Sequence, residues 1–228
     1  MTDGGSPRGT LDVVVAGETL RLLPERALLW VRTRTLVVAD LHLGKAHHFR
    51  QAGIALPRGG TAHDLQCLDR LVAATGATRL LVLGDLLHAG ARDAPWRAAW
   101  QAWRARHAAL AVELVGGNHD RALRAAPGLA ATLGLRLHGA TLRAPPFLFV
   151  HDVDDAVAAP GDYRLGGHVH PVVRLPGLPR LPAFAFAGDA GLLPAFTAFA
   201  GGLAVEPAPG TRICVCAPDA VVALPSPV

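Results

Sequence analysis

Aromatic residues are scarce in this chain, at 5% of 228 residues, although apolar residues together reach 51%. A sizeable core is available, but Leu, Val and Ala must fill most of it. Lysine is nearly absent: Lys45 stands alone among 22 basic residues, and the others are arginine. Arginine is the better fork for phosphate oxygens, yet a bias toward Ala, Arg, Gly and Pro accounts for most of this usage. The formal charge of +4 permits a nucleic-acid partner without requiring one. Cysteine occurs only at Cys67, Cys214 and Cys216. That excludes a disulfide framework and points to a reducing compartment, the cytoplasm. Cys214 and Cys216 fall on one face of an expected strand and read as core or edge residues. The first ten residues lack an apolar signal core and read as a loose tail. The most membrane-like stretch, residues 183–205, is interrupted by Asp189, Pro194 and several glycines, so a spanning helix and a membrane partner are not expected. Internal repeats and long linkers are also lacking, and residues 11–228 read as one domain.

What is present begins with strand-like runs at residues 19–23, 27–32 and 35–39. Thr61 is placed to cap a helix carrying Leu65, Leu68, Leu71 and Val72. Asp93 and Pro95 are placed to open a second, with Trp96, Trp100 and Trp103 at i, i+4 and i+7; that stripe reads as core packing. A third follows Asp120 and carries Leu123, ending before Pro127 or continuing toward Leu133. The informative pattern is another one. Five short apolar runs each deliver a polar group at their end: Leu36–Ala39 into Asp40, Leu80–Leu83 into Gly84-Asp85, Val112–Val115 into Gly116-Gly117-Asn118-His119-Asp120, Phe147–Val150 into His151, and Tyr163–Leu165 into Gly166-Gly167-His168-Val169-His170. Such runs are buried strands, and ligands bind beyond the carboxyl ends of strands in α/β sheets.

Asp40 and His42 are two apart, and in an extended chain such residues point the same way, so both can reach one ion. His168 and His170 repeat the spacing. Gly84 lets the backbone approach closely beside Asp85, whose two oxygens can bridge two cations. Asn118 offers a neutral carbonyl and His151 an imidazole. This mixed nitrogen and oxygen set suits Mn, Fe or Zn rather than a cysteine-rich structural site. Seven side chains are too many for one tetrahedral ion and fit two ions sharing a bridge, roughly 3.5–4 Å apart in such sites. Each motif alone is weak. An Asp-x-His pair is commonly a surface coincidence, and Gly-Asp after a strand is commonly a turn. Their joint order, each after a strand, is the specific signal.

Those residues, in that order, resemble the calcineurin-like metallophosphoesterase superfamily, over residues 40–170. The resemblance implies an α/β (α+β) fold, a four-layer αββα sandwich of two β-sheets flanked by helices. It implies one ion held by Asp40, His42, Asp85 and His170, and another by Asp85, Asn118, His151 and His168. It makes His119 the non-ligand histidine that faces the substrate, stabilising the charged transition state or protonating the leaving oxygen, with Asp120 orienting the loop or His119. A narrower likeness, to the DNA-ligase-associated branch of bacterial phosphoesterases, rests on residues 39–45 (ADLHLGK), Phe49-Arg50 before Gly53, residues 84–88 (GDLLH), 167–171 (GHVHP), 193–196 (LPAF) and Gly201-Gly202. His88 occupies the place where protein phosphatases of the superfamily carry Asp and double-strand-break nucleases carry His; it is positioned to pair with His119 and tune its protonation. Lys45, His48 and Arg50, with His47 among them, suggest a basic rim for a phosphodiester backbone. His63, His107 and His138 receive no role, and Asp152, Asp154 and Asp155 read as surface groups.

The expected function is therefore phosphodiester hydrolysis by a hydroxide shared between two divalent ions, with Mn2+ preferred over Fe or Zn, in a DNA-repair endonuclease. DNA is the expected substrate, with ligase, helicase or nuclease partners in repair. One alternative is a phosphoesterase for nucleotides, other small phosphodiesters or pyrophosphates. Another, of a different class, is a non-catalytic scaffold of a repair complex, with an apolar contact surface at residues 195–202. The intact ligand set and His119 weigh against the scaffold.

Overall fold

The leucine- and valine-rich runs form strands, and their alternation decides which layer each side chain enters. The structure, a computed structural model, describes residues 7–54, 59–88 and 96–226. The first sheet follows chain order: β1 (Leu11–Val15), β2 (Glu18–Leu23), β3 (Ala27–Trp30), β4 (Thr35–Ala39), β5 (Arg79–Leu83), β6 (Ala111–Val115) and β7 (Arg136–His138). β1 to β4 form an antiparallel meander, while β4 to β7 are parallel. Parallel neighbours need crossovers. These are α1 (Lys45–Gln51) and α2 (Gly60–Thr75) after β4, α3 (Trp96–Arg106) after β5, and α4 (Arg121–Ala125) and α5 (Pro127–Thr132) after β6. The second sheet contains β8 (Thr141–Ala144), β9 (Phe147–Val150), β10 (Tyr163–Gly166), β11 (Val172–Val173), β12 (Leu181–Ala187), β13 (Ala190–Leu192), β14 (Thr211–Cys216) and β15 (Val221–Ala223). Its spatial order is β15-β14-β12-β13-β10-β9-β8, with β11 beside β12. β9, β10 and β13 are parallel within it.

Leu36, Val38, Leu80, Val82 and Leu114 pack against the helices, together with Leu65, Leu68, Leu71 and the three tryptophans. Their sequence neighbours Val37, Ala39, Leu81, Leu83 and Val115 turn the other way, onto Phe147, Phe149, Leu165, Phe184 and Cys214 of the second sheet. Each fully buried Val, Leu or Phe side chain among them stabilises the fold by about 1.5–3 kcal/mol. The outcome is an α/β sandwich of two mixed sheets. Among the described residues the helices cover the outer face of the first sheet. The outer face of the second is formed by Val173, Ala183, Ala185, Ile213 and Val215, with Leu175, Val205 and Leu224 packed against them.

Several local expectations change. The third helix is two, because Ala126 before Pro127 is extended (φ −132°, ψ 81°), as a residue preceding proline prefers. Thr61 does not cap α2. The helix begins one residue earlier behind left-handed Gly59, and the Thr61 hydroxyl accepts the Gly44 N–H at 3.3 Å instead. The strand expected to reach Arg32 stops at Trp30 and turns into a 3-10 helix over Val31–Thr33. The opening of α3 at Asp93 and Pro95 lies outside the described residues. The tryptophan stripe is core, with Trp100 Nε1 donating to the Leu133 carbonyl at 2.9 Å. The start of segment 195–202 is not a surface: Ala195 and Phe196 are buried, since Ala195 bridges to Ala39 of β4 and the Phe196 N–H donates to the Ala39 carbonyl at 2.8 Å, while Ala198 is exposed and Phe199 and Ala200 are half-buried.

A buried acid lies under that segment. Burial raises the Asp64 carboxyl of α2 to about 7, against a hydrogen bond from Thr197 and the charge of Arg26, which lower it. Between about pH 4 and 7 the unfolded chain ionises this group while the folded chain keeps its proton. The contribution to stability is complete below about pH 4 and is lost as pH rises through about 7. Asp64→Asn should remove that loss, by roughly 1.4 kcal/mol per pH unit of the window. Urea midpoints of the two proteins should diverge from pH 4 to pH 8, with the variant the more stable at the top. Parallel profiles would contradict the assignment.

Candidate metal centre

The carboxyl ends of β4, β5 and β6 meet those of β9 and β10 on one edge of the sandwich. Main-chain bonds fix the meeting. Asp40 N–H donates to the Gly84 carbonyl at 3.3 Å, His42 N–H to that of Asp85 at 2.8 Å, Gly167 N–H to that of His151 at 2.9 Å, and Leu193 N–H to that of Gly166 at 2.7 Å. Glycine is required by contact at several positions, among them Gly117, where a Cβ would lie 2.3 Å from Asp85 Oδ1. A Cβ on Gly84 (φ +74°) would lie 2.1 Å from His151 Nδ1, and one on Gly167 would lie 2.4 Å from Asp40 Oδ2.

Asp40 and His42 do converge, but not by the alternation of an extended chain. Asp40 (φ 55°), His42 (48°), Asp85 (49°), His168 (65°) and His170 (50°) all occupy the left-handed region. Asp and His tolerate it better than most side chains, and such conformations collect at functional sites. Three of the strands, β4, β5 and β10, thus end in a sharp turn that aims side chains across the edge.

Two groups of ligand atoms result, each with all its atoms within 4.8 Å of one another: Asp40, His42 and His170, and Asp40, Asp85 and His151. His170 Nε2 is 3.3 Å from Asp40 Oδ1. Asp85 Oδ2 is 4.0 Å from His42 Nε2, and Asp85 Oδ1 is 3.6 Å from His151 Nε2. That same His151 nitrogen is 2.8 Å from Asn118 Oδ1 and 3.1 Å from His168 Nδ1. All seven side chains expected from the sequence are therefore together. The donors also suit a cation. Asp40 Oδ1 and both ring nitrogens of His42 are buried with no hydrogen-bond partner, a costly state for polar atoms unless something else binds them. Burial, and then the charge of Lys45, pushes His42 down to about 2, so its ring is neutral and its lone pair free.

The outer nitrogens of three histidines are taken. His151 Nδ1 donates to the Leu83 carbonyl at 3.1 Å, His170 Nδ1 donates to that of Gly201 at 3.1 Å, and His168 Nε2 lies 3.4 Å from Asp152 Oδ2. Each contact leaves the inward nitrogen as the electron donor. For His170, burial works against the charged form, but the nearby Asp40 carboxylate raises its pKa overall. Asp152, read from the sequence as a surface group, is thus part of the site; a carboxylate next to a histidine is no signal by itself.

His119 Nε2 is 3.8 Å from Asp85 Oδ2, and its side chain is 33% exposed. Its backbone N–H donates to Asp85 Oδ1 at 2.9 Å. His88 stacks on it, with centroids 5.6 Å apart and planes 20° apart, and His48 of α1 follows at 5.0 Å from His88. Burial, then Lys45 and its histidine neighbours, lower His88 to about 4. Asp120 is fully buried and turned to the backbone. It accepts the Leu87 N–H at 3.1 Å and the Gly117 N–H at 3.0 Å, joining the loops after β5 and β6. Burial raises this carboxyl to about 6 despite those bonds. Lys45 faces the centre: burial lowers its pKa, with Asp40 and Asp85 opposing. Arg50 instead lines a separate cleft with His47, Gly59 and Gly60, so the rim read from α1 divides between two faces of the helix.

Residues 33–153 match the model of the calcineurin-like phosphoesterase family. Among solved structures, the crystal structure of nuclease MPE from Pseudomonas putida is 35% identical, with the match covering 93% of this chain and 100% of that one at a TM-score of 0.80. No curated protein matches the chain significantly.

Proposed function

Because the chain belongs to the calcineurin-like phosphoesterase family, we propose that this metal-dependent phosphoesterase cleaves nucleic acid, as a DNA endonuclease of repair that uses two Mn2+ ions. The likeness to a nuclease along that protein's whole chain is the observation that carries the reading. Openness of the site supports it: the His119 and His168 side chains are 33% and 39% exposed, so a polymer can reach them.

In this reading Asp40, His42, Asp85 and His170 would hold one ion and Asp85, Asn118, His151 and His168 the other. Two divalent ions supply Lewis-acid charge for the phosphoryl oxygens and lower the pKa of water. The chain's own residues do the rest. Asp85 turns one oxygen toward His42 and the other toward His151, and so would offer a donor on each side. The Leu83 and Gly201 carbonyls hold the outer protons of His151 and His170, and Asp152 holds that of His168, so these rings keep one orientation. His119, half-exposed beside Asp85, gives a proton to the departing oxygen or hydrogen-bonds the charge that develops there. His88 stacks behind it and keeps its ring in place. Lys45 and His48 face the incoming strand, and Asp120 holds the His119 loop to the loop that carries Asp85. The repair setting and its ligase, helicase or nuclease partners rest on the narrower motif likeness, and manganese on the nitrogen and oxygen donor set.

The test is circular single-stranded DNA incubated with Mn2+-loaded protein. Linear product establishes endonuclease action. Intact circles, with small phosphodiesters still hydrolysed, would replace this reading by a phosphoesterase for nucleotide-sized substrates.

A further inference from the structure

A cleft borders the metal centre on each side. One, of about 230 Å³, lies beside Asn118, His151 and His168 and is lined by Arg124 but also by Asp152 and Asp155. The other, of about 260 Å³, lies beside His170 and is lined by Arg26, Arg180 and Thr197. The two differ in charge. The first sets two carboxylates against one guanidinium. The second holds two guanidiniums and, among its described lining residues, no carboxylate.

The arginines of the second cleft are not used by the fold. Arg26 follows β2 in a left-handed turn (φ 64°), and its Nε is buried without a hydrogen-bond partner. Asp64 lies close enough for the charge of Arg26 to act on it, but its carboxyl takes its hydrogen bond from Thr197. Arg26 forms no ion pair among the described residues. Arg180, just before β12, is exposed and likewise forms none. Two unpaired guanidiniums in one cleft repel each other, and an anion with several oxygens satisfies both. His170 is the wall shared with the centre: its Nε2 faces Asp40 at 3.3 Å, and its Nδ1 donates to the carbonyl of Gly201, another lining residue of the cleft.

We infer that this cleft is a second phosphate subsite, in which Arg26 and Arg180 hold the phosphate next to the scissile one in a polynucleotide. The inference rests on the nucleic-acid reading above and adds a direction to it. The flanking backbone leaves the centre on the His170 side, and the carboxylates of the other cleft turn it away from there. A small diester has no second phosphate and gains nothing from the cleft.

The test compares kcat/KM for a labelled single-stranded DNA oligonucleotide with that for bis(p-nitrophenyl) phosphate, over a range of salt, in the Mn2+-loaded protein. Arg180→Ala should lower the ratio of the two by about tenfold, the effect of one charge-assisted hydrogen bond. Arg26→Ala should do the same, and each change should make the salt dependence for the oligonucleotide shallower by about one charge. Arg180 is exposed, so its variant folds even if that of the half-buried Arg26 does not. Arg174→Ala, an exposed arginine outside the cleft, removes the same charge and should leave the ratio in place. A ratio unmoved in Arg180→Ala, or moved as far in Arg174→Ala, overturns the subsite while leaving the nuclease intact. A wild-type protein that hydrolyses the small diester and not the oligonucleotide overturns the nucleic-acid reading and the subsite with it.

Discussion

Asp85→Asn should give a folded protein that neither retains divalent ions nor hydrolyses phosphodiesters. The Asp85 carboxylate faces His151 at 3.6 Å with one oxygen and His42 at 4.0 Å with the other, so it spans a histidine of each ligand group, as does Asp40, which belongs to both. Asparagine keeps its shape and an oxygen for the His119 N–H. What disappears is the charge and one oxygen donor. Loss of a partner in the outer shell of a metal site costs roughly 10–100-fold in affinity or activity, and loss of a shared ligand should exceed that range. Metal content after dialysis, circular dichroism and turnover of bis(p-nitrophenyl) phosphate measure the three parts. A variant that keeps its ions and its rate would remove Asp85 from the bridge.

His119→Ala should do the opposite with metal and still slow the reaction. The ring is at 3.8 Å from Asp85 but stands outside both ligand groups, and alanine preserves the backbone N–H that Asp85 accepts. Metal content should stay at the wild-type value while kcat falls about 100-fold or more, the usual contribution of a general acid. The fall should be smaller for a p-nitrophenyl ester, whose leaving oxygen needs no proton, than for DNA. Equal losses on both substrates would assign His119 to charge stabilisation alone, and loss of the ions would make it a ligand.

The seven side chains gathered at the centre were legible because the motifs that carry them each follow an apolar run; any one motif is weak, and it is their joint order that narrows the reading. The two-sheet sandwich was legible only through resemblance to a family. Periodicity marks β4, β5 and β6 as strands but cannot say that β9 and β10 belong to another sheet. The αL turns were hidden because the spacing in Asp40-x-His42 is the same in an extended and in a turned chain. The carbonyls of Leu83 and Gly201 were invisible for a different reason: a backbone acceptor carries no side-chain signature. Thr61 and Pro127 show local signals redirected, one taken by the Gly44 N–H and the other splitting a helix at Ala126. Arg26 and Arg180 lie more than 150 residues apart in the chain, and only the fold brings them to one cleft.

The five left-handed residues at the centre also bear on how much of this protein a cell can keep. Each such turn costs on the order of 1–3 kcal/mol when the surroundings must enforce it, and the chain is relieved of all of them on unfolding. Ions that bind only the folded chain work against that release by mass action, adding about 2.7 kcal/mol when their concentration is a hundred times Kd. The melting temperature therefore reports the free divalent ion concentration. Where ions are short, a larger fraction of molecules stands unfolded and open to proteases. The supply of metal should then bear on the abundance of this protein as well as on its rate.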